Sequence, residues 1–306
     1  MKYSGIGGQA VMEGIMMKNG AKYAVAVRKP DKEIVVEVSN YSGTVNNKKI
    51  RNMPILRGVF SFIESMVLGM KTLTYSASFF EEEEEAPKDE KKENFLMGLT
   101  VAFSIVLAVG IFMVLPYGIS LLFQKVIHSG LVIALLEGVI RLVIFICYVA
   151  GISLMSDIKR VYMYHGAEHK CINCIESGLE LNVENVRKSS RLHKRCGTSF
   201  LLIVVLISIL FFMVIQVESP LLKLVLRIVL IPVIAGISFE FIRLAGRSDN
   251  PVVNLLSKPG LMLQKITTRE PDDDMIEVGI ASVEAVFDWK AYVEALQQEN
   301  SQKHKG

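Results

Sequence analysis

The chain is poor in metal-binding side chains and carries almost no net charge. Its 306 residues include 5 His and 4 Cys, and the formal net charge is +3. A charge so close to balance, with no basic stretch interleaved with aromatics, argues against a nucleic-acid surface. The glycine-rich segment Gly7-Gly8-Gln9-Ala10-Val11-Met12-Glu13-Gly14 lacks the Lys-Ser/Thr ending of a phosphate-binding loop, which argues against nucleotide binding. Met1 to Gly20 has no continuous apolar core, so a secretory signal is not expected there. No internal repeat is visible, and transporter folds built from inverted repeats gain no support. Ser, His and Asp are not arranged as a serine-type triad.

Apolar length is abundant. Hydrophobic residues make up 51% of the chain, a level soluble domains seldom reach. A membrane span needs roughly 20 apolar residues, and four runs supply them: Phe95 to Phe123, Leu131 to Met155, Phe200 to Val217 and Leu221 to Ala245. Pro116 and Gly118 predict that the first run stops near Leu115. Lys and Arg crowd the segment before the first run, the segment between the second and third, and the tail. The positive-inside rule then predicts a multi-pass membrane protein with both termini and the central segment cytoplasmic. Its cysteines face a reducing compartment and read as thiols, not disulfides.

The expected fold is an all-α membrane protein: four transmembrane helices with a small mixed α/β cytoplasmic cap. Residues 1–94 form an amino-terminal region. Within it, Tyr23 to Arg28 and Glu33 to Ser39 read as a hairpin around Lys29-Pro30-Asp31-Lys32. Ile55 to Phe80 reads as an amphipathic helix on the membrane surface or against the bundle, with a re-entrant span as the alternative. Glu81 to Glu85 and the mixed charges after it read as a solvated linker. Residues 95–245 are the membrane domain, holding a polar segment, 156–199. Residues 246–306 are a tail with a mixed connector (250–268) and an amphipathic helix (275–296) expected to pack on the central segment.

The scarce ligands are not spread evenly. Residues 165–196 hold three of the five His and three of the four Cys. His165, Glu168 and His169 have the H-x-x-E-H spacing of inverted zincins. On a helix both imidazoles share a face and can reach one divalent metal, zinc by preference, with Glu168 as general base on activated water. Glu240, at the end of the fourth run, or His193 then completes the shell, and Glu176 shares the helix face. A second reading uses Cys171-x-x-Cys174 and His193-x-x-Cys196 as a closed four-ligand structural zinc site. A third has no metal, with Cys171 and Cys174 as small buried apolar residues. Glu13 is a further candidate ligand or base, against a plain glycine-rich turn.

These residues resemble the YqhQ-like family, bacterial polytopic membrane proteins of unknown function described as metal-dependent enzymes. The resemblance rests on Gly7 to Gly14 with Met16-Met17, Arg57-Gly58, His165-Gly-Ala-Glu168-His169-Lys170, Val183 to Arg187, His193-x-Arg195-Cys196-Gly197-Thr198-Ser199-Phe200, and Asp273 to Val278. It implies a metal centre on His165, Glu168, His169, His193 and Cys196, with Cys171 outside the pattern. It supplies no reaction.

Arg187, Arg191 and Arg195 recur every four residues, as on one helix face, and predict anionic lipid headgroups as neighbours. Glu137, Arg141 and Arg227 lie inside apolar runs and are expected to pair with one another. The function these features point to is a zinc-dependent integral membrane enzyme, hydrolytic, with its site at the cytoplasmic face. The alternative is a non-enzymatic scaffold or transporter with a structural metal. Substrate and homo-oligomerisation stay open.

Overall fold

The computed structural model describes residues 3–41, 43, 53–80, 90–215, 217, 219–248 and 250–303. The acidic stretch read as a linker lies outside them. The chain divides into two compact units: Met1–Glu81, Ile152–Leu202 and Ala235–Gly306 form one, and Glu82–Gly151 with Ile203–Ile234 form the other.

The first unit opens with a four-stranded antiparallel meander, β1 (Gly7–Val11), β2 (Gly14–Asn19), β3 (Lys22–Arg28) and β4 (Ile34–Asn40). The hairpin expected from sequence is β3–β4, with Val25 opposite Glu37. The glycine-rich segment does more than turn: it supplies β1 and most of β2. Glu13 takes up φ +48° at the β1–β2 corner, a conformation in which residues other than Gly are uncommon. Two strands alone are marginal in water. Here the sheet has four, and its Ile15, Met17, Ala24 and Ala26 pack into one core with the helices α5 (Ser156–Glu176) and α10 (Asp273–Val286). The amino-terminal region, the central segment and the tail thus share a core.

The tail is more helical than its sequence suggested. Residues read as a mixed connector form α9 (Pro251–Thr267), despite Pro259 inside it. Its buried positions Ser257, Gly260, Gln264 and Thr267 recur at helical spacing. Residues 275–296 are not one helix. They break at Phe287 into α10 and α11 (Trp289–Lys303). Ile55 to Phe80 contains α1 (Leu56–Ala77), which exposes Ile63, Met66, Val67, Met70 and Leu73 on one side and buries Gly58, Glu64, Leu68 and Thr72 on another.

The second unit is helical: α2 (Glu90–Val109), a π-helical turn Gly110–Val114, α3 (Leu115–Phe123), α4 (Gly130–Ile152), and most of α7 (Gly197–Val214) and α8 (Pro220–Ala245). Among the described residues, four helical stretches are long and apolar enough to cross a membrane: Phe95–Phe123, Gly130–Ile152, Gly197–Val214 and Leu221–Ala245. The first does not stop at Leu115. Pro116 falls in the first turn of α3, where its missing N–H costs least, and the π turn before it absorbs the mismatch.

Candidate metal centre

Helix α5 carries the site. Gly166, a poor helix former by propensity, sits in its middle because nothing larger fits. A Cβ there would lie 2.0 Å from the carbonyl oxygen of Arg269. The close approach is fixed by Arg269 N–H, which donates to the Tyr162 carbonyl at 2.8 Å. It carries the end of α9 against the turn that holds His165.

His165, His169 and Cys196 offer ligand atoms that all lie within 4.8 Å of one another. The Nδ1 of His165 is 2.9 Å from the Thr267 carbonyl oxygen, and the Nδ1 of His169 is 2.7 Å from the Arg191 carbonyl oxygen. A carbonyl only accepts, so both rings donate from Nδ1, and Nε2 is the nitrogen each ring can offer to a metal. The His165 Nε2 is 3.2 Å from the Cys196 sulfur. A carbonyl accepting from the outer ring N–H is the usual device for orienting metal-ligating histidines.

Cys196 immediately precedes α7, with its sulfur 3.4 Å from the Thr198 N–H and 3.0 Å from the Thr198 hydroxyl. Burial opposes ionisation of this thiol, but the two imidazoles overcome burial and hold its pKa well below the ordinary thiol value. The start of a helix works in the same direction. Burial alone would depress the His165 imidazole; the facing Cys196 thiolate, its hydrogen bond and Glu168 raise it instead, to about 9. In the metal-free protein the two groups form an ion pair, with the second imidazole proton on Nε2 facing the sulfur; a bound metal would displace that proton. Glu168 is buried, and burial pushes its carboxyl above the usual range, with His169, His165 and the Gly8 N–H pulling against that. Gly8 is a glycine for this approach: a Cβ there would lie 2.6 Å from the Met16 carbonyl oxygen and 3.1 Å from Glu168 Cγ.

The segment 187–193 is held by side chains, not by a long helix. The helix α6 (Val183–Lys188) ends at Lys188. Beyond it, Lys170 Nζ donates to the Arg187 and Ser189 carbonyls, and Asn173 Nδ2 donates to those of Ser190 and Leu192. Gln264, fully buried, clamps the next peptide: its Oε1 accepts from His193 N–H at 2.8 Å, and its Nε2 donates to the His193 carbonyl and the Ser199 hydroxyl. The arginines expected on one helix face therefore do not share one. Arg187 pairs with Asp273, Arg191 donates to the Thr268 carbonyl, and Arg195 pairs with Glu176.

Other candidates go elsewhere. Glu240 does not join the cluster, because the Arg57 guanidinium engages both its oxygens. Glu13 is held by Arg160 and receives the Tyr164 hydroxyl at 3.1 Å. His193 stacks 5.7 Å from His169 by ring centroids, but its Nε2 faces Glu176 at 3.6 Å. Burial pushes the Glu176 carboxyl up, and His193, Arg195 and Ser4 more than offset it, down to about 2. The four-ligand knuckle does not assemble. Cys174 donates to the Glu180 carbonyl at 3.3 Å, and Cys171 lies against Gly279 of α10. Sequence reasoning missed Gln264 and Thr267. Gln264 had a faint signal, a glutamine on the small-residue stripe of α9. Thr267 had none, because it acts through its backbone carbonyl.

A family described as "Protein of unknown function (DUF1385)" matches residues 53–289. The chain is similar to "Uncharacterized protein YqhQ" of Bacillus subtilis (strain 168), 34% identical over 304 residues, which cover 96% of this chain and 94% of the relative. No solved structure matches significantly.

Proposed function

The chain belongs to the DUF1385 family, a family of unknown function, and from that premise we propose that it is a metal-dependent membrane enzyme of hydrolytic type, its site at the cytoplasmic face. The observation that carries the proposal is the convergence of His165, His169 and Cys196 within 4.8 Å, both imidazoles presenting Nε2 because carbonyls hold Nδ1. The four long apolar helices support membrane anchoring. The basic residues around the site support the cytoplasmic side.

The donor set fits zinc. Two imidazoles and one thiolate suit a borderline-soft ion, and three protein ligands leave a fourth position open, as in catalytic sites. A divalent ion held there supplies Lewis-acid activation of water. The protein's own part falls to Glu168. Burial raises its pKa, which makes the carboxylate a stronger base, suited to take a proton from water and return it to a leaving group. Thr267, Arg191 and Gln264 act as positioning residues: they hold the rings and the Cys196 segment through the backbone.

A second reading, a scaffold or transporter with a structural metal, is favoured by one observation. Glu168 is 5% exposed, His169 1% and Cys196 5%, and closed structural sites are buried in this way. Metal analysis by mass spectrometry on detergent-purified protein tests the metal centre. The wild type is expected to hold about one zinc per chain, the His165→Ala/His169→Ala variant none, and the Cys171→Ser/Cys174→Ser variant the wild-type amount. A wild type that takes up no metal on reconstitution overturns the proposal. Glu168→Gln separates the two readings: hydrolysis of ester, peptide or phosphodiester probes is lost with metal retained in an enzyme, and nothing changes in a scaffold.

A further inference from the structure

The three charges expected to pair inside the apolar runs do so: Glu137 accepts from Arg141 at 2.8 Å and from Arg227 at 2.6 Å. The surface still without an account lies in the first unit, on α9. This helix has two unlike sides. One buries Ser257, Gly260, Gln264 and Thr267. The other turns apolar residues outward: Val252, Leu255, Leu256 and Met262 are each more than half exposed, and their spacing puts them on one stripe. An apolar stripe left exposed on a packed unit marks a contact surface.

Two anchors set the level of α9 against the helices long enough to cross a membrane. Five residues separate Ala245, the end of α8, from Pro251, the start of α9, a reach of roughly 20 Å at most in an extended chain. Midway along α9, Gly260 touches the start of α7: a Cβ there would lie 2.8 Å from the Ser199 side chain, and Gln264 Nε2 donates to the Ser199 hydroxyl at 2.7 Å. Gly197 and Ala245 are end residues of two of the span-length stretches. The anchors therefore hold α9 at the level where those two stretches end.

The composition of α9 suits that level. Its 17 residues fall short of the roughly 20 a span needs. Lys258 and Lys265 are exposed, two turns apart, and border the stripe on its Met262 edge. Pro259, also exposed, withholds the N–H that would close on the Leu255 carbonyl. A carbonyl so freed is costly in hydrocarbon and is met by water at a membrane surface. Lysines beside an apolar stripe lay their stems along it and carry their ammonium groups to the headgroups, which favours lipid over a protein partner as the occupant.

We propose that α9 is a membrane-surface helix, with the stripe from Val252 to Met262 at the boundary of headgroups and acyl chains and with Lys258 and Lys265 on lipid phosphates. The proposal rests on reading the apolar stretches as spans. Lipid then bears on one side of α9, while its other side carries Gln264 and Thr267, which hold the His193 peptide and the His165 ring.

The test uses the full chain in nanodiscs of phosphatidylcholine and phosphatidylglycerol, with acyl chains either plain or brominated near the headgroup. Bromine quenches nearby tryptophan. Four single variants are compared: Leu255→Trp and Met262→Trp on the stripe, Val229→Trp on the exposed side of α8 inside a span-length stretch, and Glu294→Trp on the exposed side of α11. The chain has one Trp of its own, and wild type supplies that background. Leu255→Trp and Met262→Trp are expected to lose about half their added fluorescence, as side chains set about 5–10 Å into the boundary should. Val229→Trp is also quenched, and Glu294→Trp is not. An unquenched Val229→Trp would remove the spans and the proposal with them. With Val229→Trp quenched, two results overturn the proposal alone. Stripe tryptophans that are unquenched and emit as in water leave the stripe open to solvent. Stripe tryptophans that are unquenched but blue-shifted put a protein surface, such as a second copy of this chain, over it. Quenching at Glu294→Trp equal to that of the stripe overturns it as well.

Discussion

Helix α5 carries two cysteines on one side and two histidines on the other, and the two sides are built on opposite principles. At about 100° per residue, Cys171 and Cys174 point away from His165 and His169. On the cysteine side the surroundings are apolar. Burial pushes the Cys171 thiol far up, and burial pushes Cys174 up to about 11. Both are small core residues there. On the histidine side the third cysteine, Cys196, meets two imidazoles at the start of a helix, and its thiol ionises. Three cysteines within 26 residues of sequence thus differ in charge because of what faces them. A count of cysteines cannot identify a metal site; the partners of each sulfur can.

The sharpest way to break this contrast is to exchange the two kinds of cysteine. Cys196→Ser is expected to cost at least a hundredfold in zinc affinity, read by competition with a chromophoric chelator, while Cys171→Ser leaves affinity unchanged. Next comes the support behind the histidine side. Gln264→Leu strips the clamp from the His193 peptide, and loss of such outer partners costs about 10- to 100-fold in metal affinity. Equal affinity in Gln264→Leu and wild type would show that the clamp does not position the ligands. Two changes of stability follow. Gly166→Ala forces a methyl against the Arg269 carbonyl and is expected to cost about 3 kcal/mol in denaturant unfolding. Cys171→Ser buries a hydroxyl in an apolar wall and costs about 1–3 kcal/mol, with metal content intact.

The smallest expected effect is one of pH. Glu176 has its folded pKa held at about 2 against an ordinary 4.5. Its contribution to stability is therefore fully present above about 4.5 and is lost as pH falls through about 2. Glu176→Gln should flatten the acid limb of a stability–pH curve and leave the neutral region flat. An unchanged acid limb would mean that His193 and Arg195 do not hold the carboxylate. The Cys196 shift has the same sign: metal-free protein should keep one thiolate, seen by ultraviolet absorbance, as pH falls well below 9, and Cys196→Ser should lose it.

Much of the histidine side was legible. His165, Glu168 and His169 stand at the spacing of one helix face, and the four apolar runs stand out by length alone. The sheet was half legible. Strands β3 and β4 alternate around a turn, but β2, Gly-Ile-Met-Met-Lys-Asn, buries its first four residues in a row and shows no alternation. Glycines that read as a turn are there for approach, as Gly8 is to Glu168. Glu240 misled because a carboxylate near a membrane edge needs a partner, and Arg57, 183 residues away in sequence, supplies one. The carbonyls of Thr267 and Arg191 leave no trace in sequence at all, since every residue has one.

The most direct measurement is X-ray absorption at the zinc edge of the metal-loaded, purified protein. The account predicts one sulfur at about 2.3 Å and two imidazole nitrogens at about 2.0–2.1 Å, with the sulfur lost in Cys196→Ser and kept in Cys171→Ser/Cys174→Ser. A shell with two or more sulfurs, or with none, contradicts it.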